Sequence, residues 1–195
     1  MWLLFAALSL IGSATANGQE VKTAYGFSDS DPGSGKGVYT FDIKSDTVDN
    51  IQLVQGVNCD NVSASYMLDD KYYYLDYTQY ESGYKSNGFY SLDLDSKGIK
   101  TIVDYGGVQQ GPIICHLAWD AQSQTMYGLN GLGSGWGLSK INLETGVISN
   151  VCEFTFTDEP EPAKSNDNFH TLMDAIAVNY DGEMYGVSYW GGLYK

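Results

Sequence analysis

A tyrosine-centred strand motif returns four times along this chain, and a repeat with that spacing admits few folds. It reads Ala24-Tyr25-Gly26-Phe27, then Tyr72-Tyr73-Tyr74-Leu75, Met126-Tyr127-Gly128-Leu129 and Met184-Tyr185-Gly186-Val187. The four central tyrosines lie 48, 54 and 58 residues apart. Self-similarity near 50 residues marks an array of like units, each of which buries its apolar surface only against its neighbours. A second strand follows in every copy: Val38 to Ile43, Phe89 to Leu94, Leu138 to Leu143, and a fourth begun as Leu193-Tyr194-Lys195.

Polar turns come next, Lys44-Ser45-Asp46-Thr47, Asp95-Ser96-Lys97-Gly98 and Glu144-Thr145-Gly146, with residues that favour tight local hydrogen bonding. A further strand with alternating apolar positions runs Ile51 to Val54, Ile99 to Val103 and Val147 to Val151. Ahead of the tyrosine strand the later copies carry Val62 to Leu68, Ile113 to Trp119 and Ala175 to Val178. That makes four short strands per unit, and no apolar 3.6-residue period persists for three turns. The fold class is therefore all-β, a β-propeller of four-stranded antiparallel blades, with units at about 23–54, 62–103, 113–154 and 175–195. The ring does not close within this reading: the first unit lacks its leading strand and the fourth is partial. The expectation is the N-terminal part of a larger propeller of roughly 300 to 400 residues, with a four-bladed ring as the alternative.

The string Met-Tyr-Gly-(Leu/Val), a glycine-bearing loop, then Leu-(Ser/Tyr)-Lys-Ile-(Asn/Asp)-Leu-Glu-Thr-Gly, best seen over 126–146, resembles the secreted bacterial propellers grouped as YVTN, WD-repeat-like or quinoprotein-like. The resemblance covers about 23–195 and implies architecture, since such repeats serve binding proteins and enzymes alike. For the enzymes among them, lactonases or glycoside-processing hydrolases, it implies channel-facing carboxylates and Asn residues with or without a divalent metal. Asn58, Asp60, Asn168 and Asp174 are the residues available for that role.

Composition narrows the partners. Ten Lys plus Arg against 24 Asp plus Glu give a net charge of −14, which argues against nucleic acid, because that affinity comes from cations displacing counterions along the phosphates. Trp2 to Ile11 form an apolar run followed by Ala14-Thr15-Ala16, a small-x-small pattern, so residues 1–16 read as a signal peptide and 17–195 as the exported, secreted or periplasmic domain. No run approaches the roughly 18 apolar residues of a membrane span. Cys59, Cys115 and Cys152 allow at most one internal disulfide, and their spacing matches neither a redox pair nor a zinc cluster, so buried thiols are expected and neither metal nor cofactor is implied.

Ligands of propellers bind where the blade-leading loops and the hairpin loops between second and third strands gather. The leading loops fall at Gly56 to Asn61, Gly106 to His116 and Asp158 to Asp174, and the hairpin loops at Ser28 to Gly37, Tyr77 to Gly88, Asn130 to Gly137 and Ser188 to Gly192. Tyr80, Tyr84, Trp136, Tyr189 and Trp190 combine flat apolar faces with neighbouring Asn, Gln and Ser, which suits sugar rings or peptides; the same rings also suit packing between blades. His170, beside Asp167 and Asp174, is either an acid/base partner or a strut in a long loop, and His116 reads as a core histidine. Asp29 to Gly33 lacks the ligands of a calcium loop, Gly33 to Gly37 and Gly131 to Gly135 lack a phosphate loop's completion, and Asn61-Val62-Ser63 is a glycosylation sequon only in a eukaryotic secretory route. The functional expectation is a non-catalytic module binding a carbohydrate, a peptide or an envelope protein, with self-association at open blade edges; the alternative is a propeller hydrolase or lactonase.

Overall fold

The structure, a computed structural model, describes residues 9–10, 24–28, 36–44, 47–57, 61–80, 83–106, 113–131, 137–154, 173–188 and 192–195. Four antiparallel sheets follow one another in chain order. Sheet A contains β1 (Ser9–Leu10), β2 (Ala24–Ser28), β3 (Gly37–Lys44) and β4 (Thr47–Gly56); sheet B contains β5 (Asn61–Leu68), β6 (Lys71–Tyr80), β7 (Gly83–Asp93) and β8 (Ile99–Asp104). Sheet C has β9 (Ile113–Asp120), β10 (Thr125–Gly131), β11 (Gly137–Ile141) and β12 (Ile148–Glu153), and sheet D has β13 (Met173–Val178), β14 (Met184–Ser188) and β15 (Leu193–Tyr194). Within each sheet spatial order equals chain order, and the leading strands β1, β5, β9 and β13 pack on one another in succession.

Both faces of a sheet are apolar because both are covered. Along β6, Tyr72 and Tyr74 enter the core shared with sheet A, among Val38, Val57 and Leu92, whereas Leu75 enters the core shared with sheet C. Sheet C divides likewise: Met126 and Ile141 face sheet B, and Leu129 and Leu138 face sheet D. Each fully buried Leu or Phe contributes about 1.5–3 kcal/mol, so Leu75, Phe89, Leu117 and Leu129 make stacking the main source of stability. The positions of sheet D that correspond to Leu75 and Phe89, both 0% exposed, are Val187 and Leu193, which are 42% and 71% exposed on its far face.

Hydrogen bonds tie neighbouring sheets at the ends of these cores. The Tyr105 hydroxyl donates to the Gly146 carbonyl at 2.6 Å, joining sheets B and C, and Gln122 Nε2 donates to the Tyr180 carbonyl at 2.8 Å, joining C and D. Gly146 has φ +71°, and a Cβ there would collide with the Val103 side chain, so the turn after β11 approaches β8 closely only with glycine.

Two sequence expectations need correcting. The first unit does not lack its leading strand: Ser9 and Leu10, inside the segment read as a signal peptide, pair with Tyr25 and Ala24. Cleavage after Ala16 would remove that strand. The hairpin loop placed at Tyr77 to Gly88 is largely strand, with Gln79 opposite Tyr84 and Tyr80 opposite Gly83. Tyr77, Thr78, Tyr80 and Tyr84 are residue types that favour strands, and a register shift between Asp76 and Tyr77 lets pairing continue past the point where the other hairpins open.

Gly146→Ala combines a left-handed backbone with steric overlap and should cost about 2–5 kcal/mol. Gly106→Ala, at φ +62° with no atom near the added methyl, should cost only about 1–2 kcal/mol. Thermal unfolding of the two variants checks this; equal losses would refute the close approach of sheets B and C.

Candidate functional site

The two ends of the blades differ in chemistry. At the turn end, side chains cap short turns: Asp93 Oδ1 accepts the Ser96 N–H at 2.8 Å, Asp120 Oδ1 the Gln122 N–H at 2.9 Å, and Asn179 Oδ1 the N–H groups of Asp181 and Glu183 at 2.9 Å. Hydrogen bonds from Ser96, from Ser123 and from Lys195 hold Asp93, Asp120 and Glu183 respectively below the ordinary carboxylate range. At the opposite end, where the leading and hairpin loops gather, burial pushes the carboxyls of Asp76 and Asp174 above it.

That end is built from two rows of corresponding residues. The first occupies corresponding positions of the second strands: Ser28 lies opposite Gly37, Asp76 opposite Gly88 and Asn130 opposite Gly137, while Ser188 Oγ accepts the Gly192 N–H at 3.0 Å. Glycine recurs across from each polar side chain where an added Cβ would meet close neighbours: the Gln55 carbonyl at Gly37, the Tyr90 ring at Gly88, the Cys152 carbonyl at Gly137, and Ser188 Oγ, at 2.9 Å, at Gly192. Asp76 accepts hydrogen bonds from the Gly88 N–H, the Asn87 amide and the Tyr90 hydroxyl. Its Oδ1 and Asn130 Oδ1 are nevertheless buried with no partner among the described residues. An unsatisfied buried acceptor carries a desolvation cost, so two at matching positions mark a place where donors are wanted.

The second row consists of β-bulges in the leading strands. Pairing slips between Val62 and Ala64, between Ile114 and His116, and between Met173 and Ala175, leaving Ser63, Cys115 and Asp174 as the extra residues. Ser63 Oγ donates to the Leu75 carbonyl and Cys115 Sγ to the corresponding Leu129 carbonyl, each at 3.4 Å. In the third copy the residue is a carboxylate, and its charge reaches the Cys115 thiol. Bulges re-aim side chains at the rims of closed sheets, often beside sites.

The thiol and the imidazole described at this end are occupied. Burial pushes the Cys115 thiol up to about 12, far from thiolate chemistry at neutral pH. His116 Nδ1 accepts a long hydrogen bond, 3.5 Å, from the Ile176 N–H of the next sheet, and burial holds its pKa below the usual value, as expected of a core histidine. Among the described residues no three His, Cys, Asp or Glu cluster as a metal site would require.

Of the residues singled out from sequence, Trp136, His170, Tyr189 and Trp190 lie outside the described residues, as do Asn58, Asp60, Asp167 and Asn168. Tyr80 and Tyr84 are placed by backbone only, at the tip of the β6–β7 hairpin. Sequence reasoning missed the Ser28, Asp76, Asn130 and Ser188 row, although the recurring polar residue two positions after the motif's glycine, or after Tyr74, was there to be read. It also expected Cys152 to be buried; this cysteine is free and exposed, on outer strand β12.

No family model matches the sequence, and no curated protein does. Among solved structures, a gluconolactonase of Xanthomonas campestris superposes with a TM-score of 0.51 at 14% identity, over 85% of this chain and 52% of that one. A chain of a nidogen/laminin complex gives 0.51 at 9% identity over 87% of this chain and 52% of that one. This chain has the β-propeller fold. It spans about half the length of either neighbour, and identities this low speak for the blades alone. No described helix of this propeller is long and apolar enough to cross a membrane.

Two outcomes follow from this geometry. Because the folded-state pKa of Asp76 is raised, the folded chain holds a proton there that the unfolded chain releases near pH 4, so this residue's contribution to stability falls as pH rises. The melting temperature of Asp76→Asn minus that of the wild type should therefore climb between about pH 4 and pH 7; a flat difference would refute the buried, partly unpaired carboxyl. Brief alkylation at neutral pH followed by mass mapping should modify Cys152 and spare Cys115 until denaturant is added.

Proposed function

We propose that this propeller is a non-catalytic binding module, placed outside the cytoplasm, that takes a carbohydrate, a peptide or an envelope protein at the loop end of its blades. The observation that carries the reading is the division of labour at that end. Cys115 and His116, the described side chains most suited to nucleophilic or acid/base work, are occupied in holding strands together, whereas Asp76 Oδ1 and Asn130 Oδ1 remain as unpartnered acceptors. Recognition uses such groups; turnover needs the others. Tyr80, Tyr84, Trp136, Tyr189, Trp190 and His170 are the contacts proposed on the converging loops, and the apolar run before Ala14-Thr15-Ala16 is the proposed export signal.

A second reading, a lactonase or hydrolase with a carboxylate site at the channel mouth, is favoured by one described residue. Asp174 begins blade D as a bulge and burial raises its pKa, as suits a carboxyl taking part in proton transfer.

Glycan and peptide arrays probed with the wild type and with Trp136→Ala/Trp190→Ala test the first reading. The expected outcome is a loss of about tenfold or more in binding, roughly 1.4 kcal/mol, with unfolding unchanged; unaltered binding overturns it. Metal analysis and melting with and without chelator test the second, since a metal bound only by the native state raises the melting temperature. Bound metal with a chelator-sensitive melt favours the hydrolase; absence of both removes its metal-dependent form.

A further inference from the structure

We infer that a groove at the turn end of blade C, away from the loop end and independent of the reading above, is a binding site for one neutral pyranose ring. Its volume is about 600 Å³, within the range of small-molecule sites, and the half-buried Trp119 and Leu143 line it together with the exposed Lys140, above the buried Met126 and Ile141.

Blades B and C differ at the corresponding positions. The strand registers Met67 opposite Tyr72 opposite Leu92, and Trp119 opposite Met126 opposite Ile141, make these two trios correspond. Where blade B meets blade A, Met67, Tyr72 and Leu92 are all buried, with the Tyr72 ring sealing the interface and its hydroxyl donating to Ser65 Oγ at 2.7 Å. Where blade C meets blade B, a flexible methionine replaces that ring. The aromatic group comes instead from Trp119 on β9, which stays half-buried beside open space.

The walls are preorganised. One is the turn after β11, in which Asn142 Oδ1 accepts the N–H groups of Glu144 and Thr145 at 2.9 and 2.8 Å and the Asn142 carbonyl accepts that of Gly146 at 2.8 Å. The same turn is anchored from blade B by the Tyr105 hydroxyl. Its exposed Glu144 and Thr145 line the groove, as does Gln124. A ligand fitted to these walls has one flat apolar face for the indole and hydroxyl groups for the rim. The lining carries one charge of each sign, Lys140 and Glu144, so it favours neither an anionic nor a cationic ring. Walls that are ordered before binding lower the entropy cost of capture.

Titration of the ¹⁵N-labelled protein with maltotriose, cellotriose and chitotriose, followed through the tryptophan indole N–H resonances, tests the site. The expected result is a saturable shift of the Trp119 resonance by at least one of the three, with Kd on the order of 1 mM, weakened about tenfold in Glu144→Ala/Thr145→Ala. Both substitutions are on an exposed turn, so the fold should persist; an unchanged melt verifies that. No Trp119 shift with any trisaccharide overturns the proposal, as does a shift that the double variant leaves intact. Movement confined to Trp136 and Trp190 overturns it too, while supporting recognition at the loop end.

Discussion

A sheet with apolar residues on both faces has no side to offer to water, and nearly everything else in this chain follows from that constraint. The tyrosine strand of blade B shows it most directly: Tyr72 and Tyr74 point into one core and Leu75 into the next, so the strand stays dry only between two neighbours. Stacking in chain order satisfies this locally, and each added blade repeats the same positions. The exposed Val187 and Leu193 show what such a face looks like where no described blade covers it.

Stacking also determines which ends can vary. Turn-end connections are short because the strands they join are adjacent, and their polar groups are consumed by capping: Asp93, Asp120, Asn142 and Asn179 each serve backbone N–H groups within four residues. Loop-end connections have no such limit. There the row of Ser28, Asp76, Asn130 and Ser188 opposite glycine keeps its place while its chemistry changes from blade to blade, and so do the bulges at Ser63, Cys115 and Asp174. A scaffold that holds position and varies side chain at one end is suited to recognition.

Much of the fold was legible in the sequence because repetition averages over local ambiguity. Four tyrosine strands with matching flanks outweigh the uncertainty of any one, and three of the four hairpins open at Ser28, Asn130 and Ser188. The β6–β7 hairpin was misplaced because the boundary there depends on a bulge at Asp76, a feature of pairing that a single strand does not announce. Ser9 and Leu10 went unrecognised for a different reason: an apolar run before small residues suits a leader and a core strand equally well. The candidate site was less legible still. Composition drew attention to loop aromatics, whereas the informative residues within the described structure are short polar ones, whose burial appears only once strands are paired.

The carboxylates show how one composition serves both ends. Asp93, Asp120 and Glu183 are stabilised as anions by the N–H and O–H groups that converge on them, so much of the acidity that the sequence displays is structural capping. Asp76 and Asp174 are held in the opposite sense, by loss of water, which at Asp76 outweighs the hydrogen bonds from Gly88, Asn87 and Tyr90. A ligand donor reaching Asp76 Oδ1 would supply what burial has removed, and its hydrogen bond would be stronger for forming away from bulk solvent. The cost already present in the folded chain thus becomes part of the driving force for binding, which is why unpartnered acceptors point to the loop end more clearly than the net charge does.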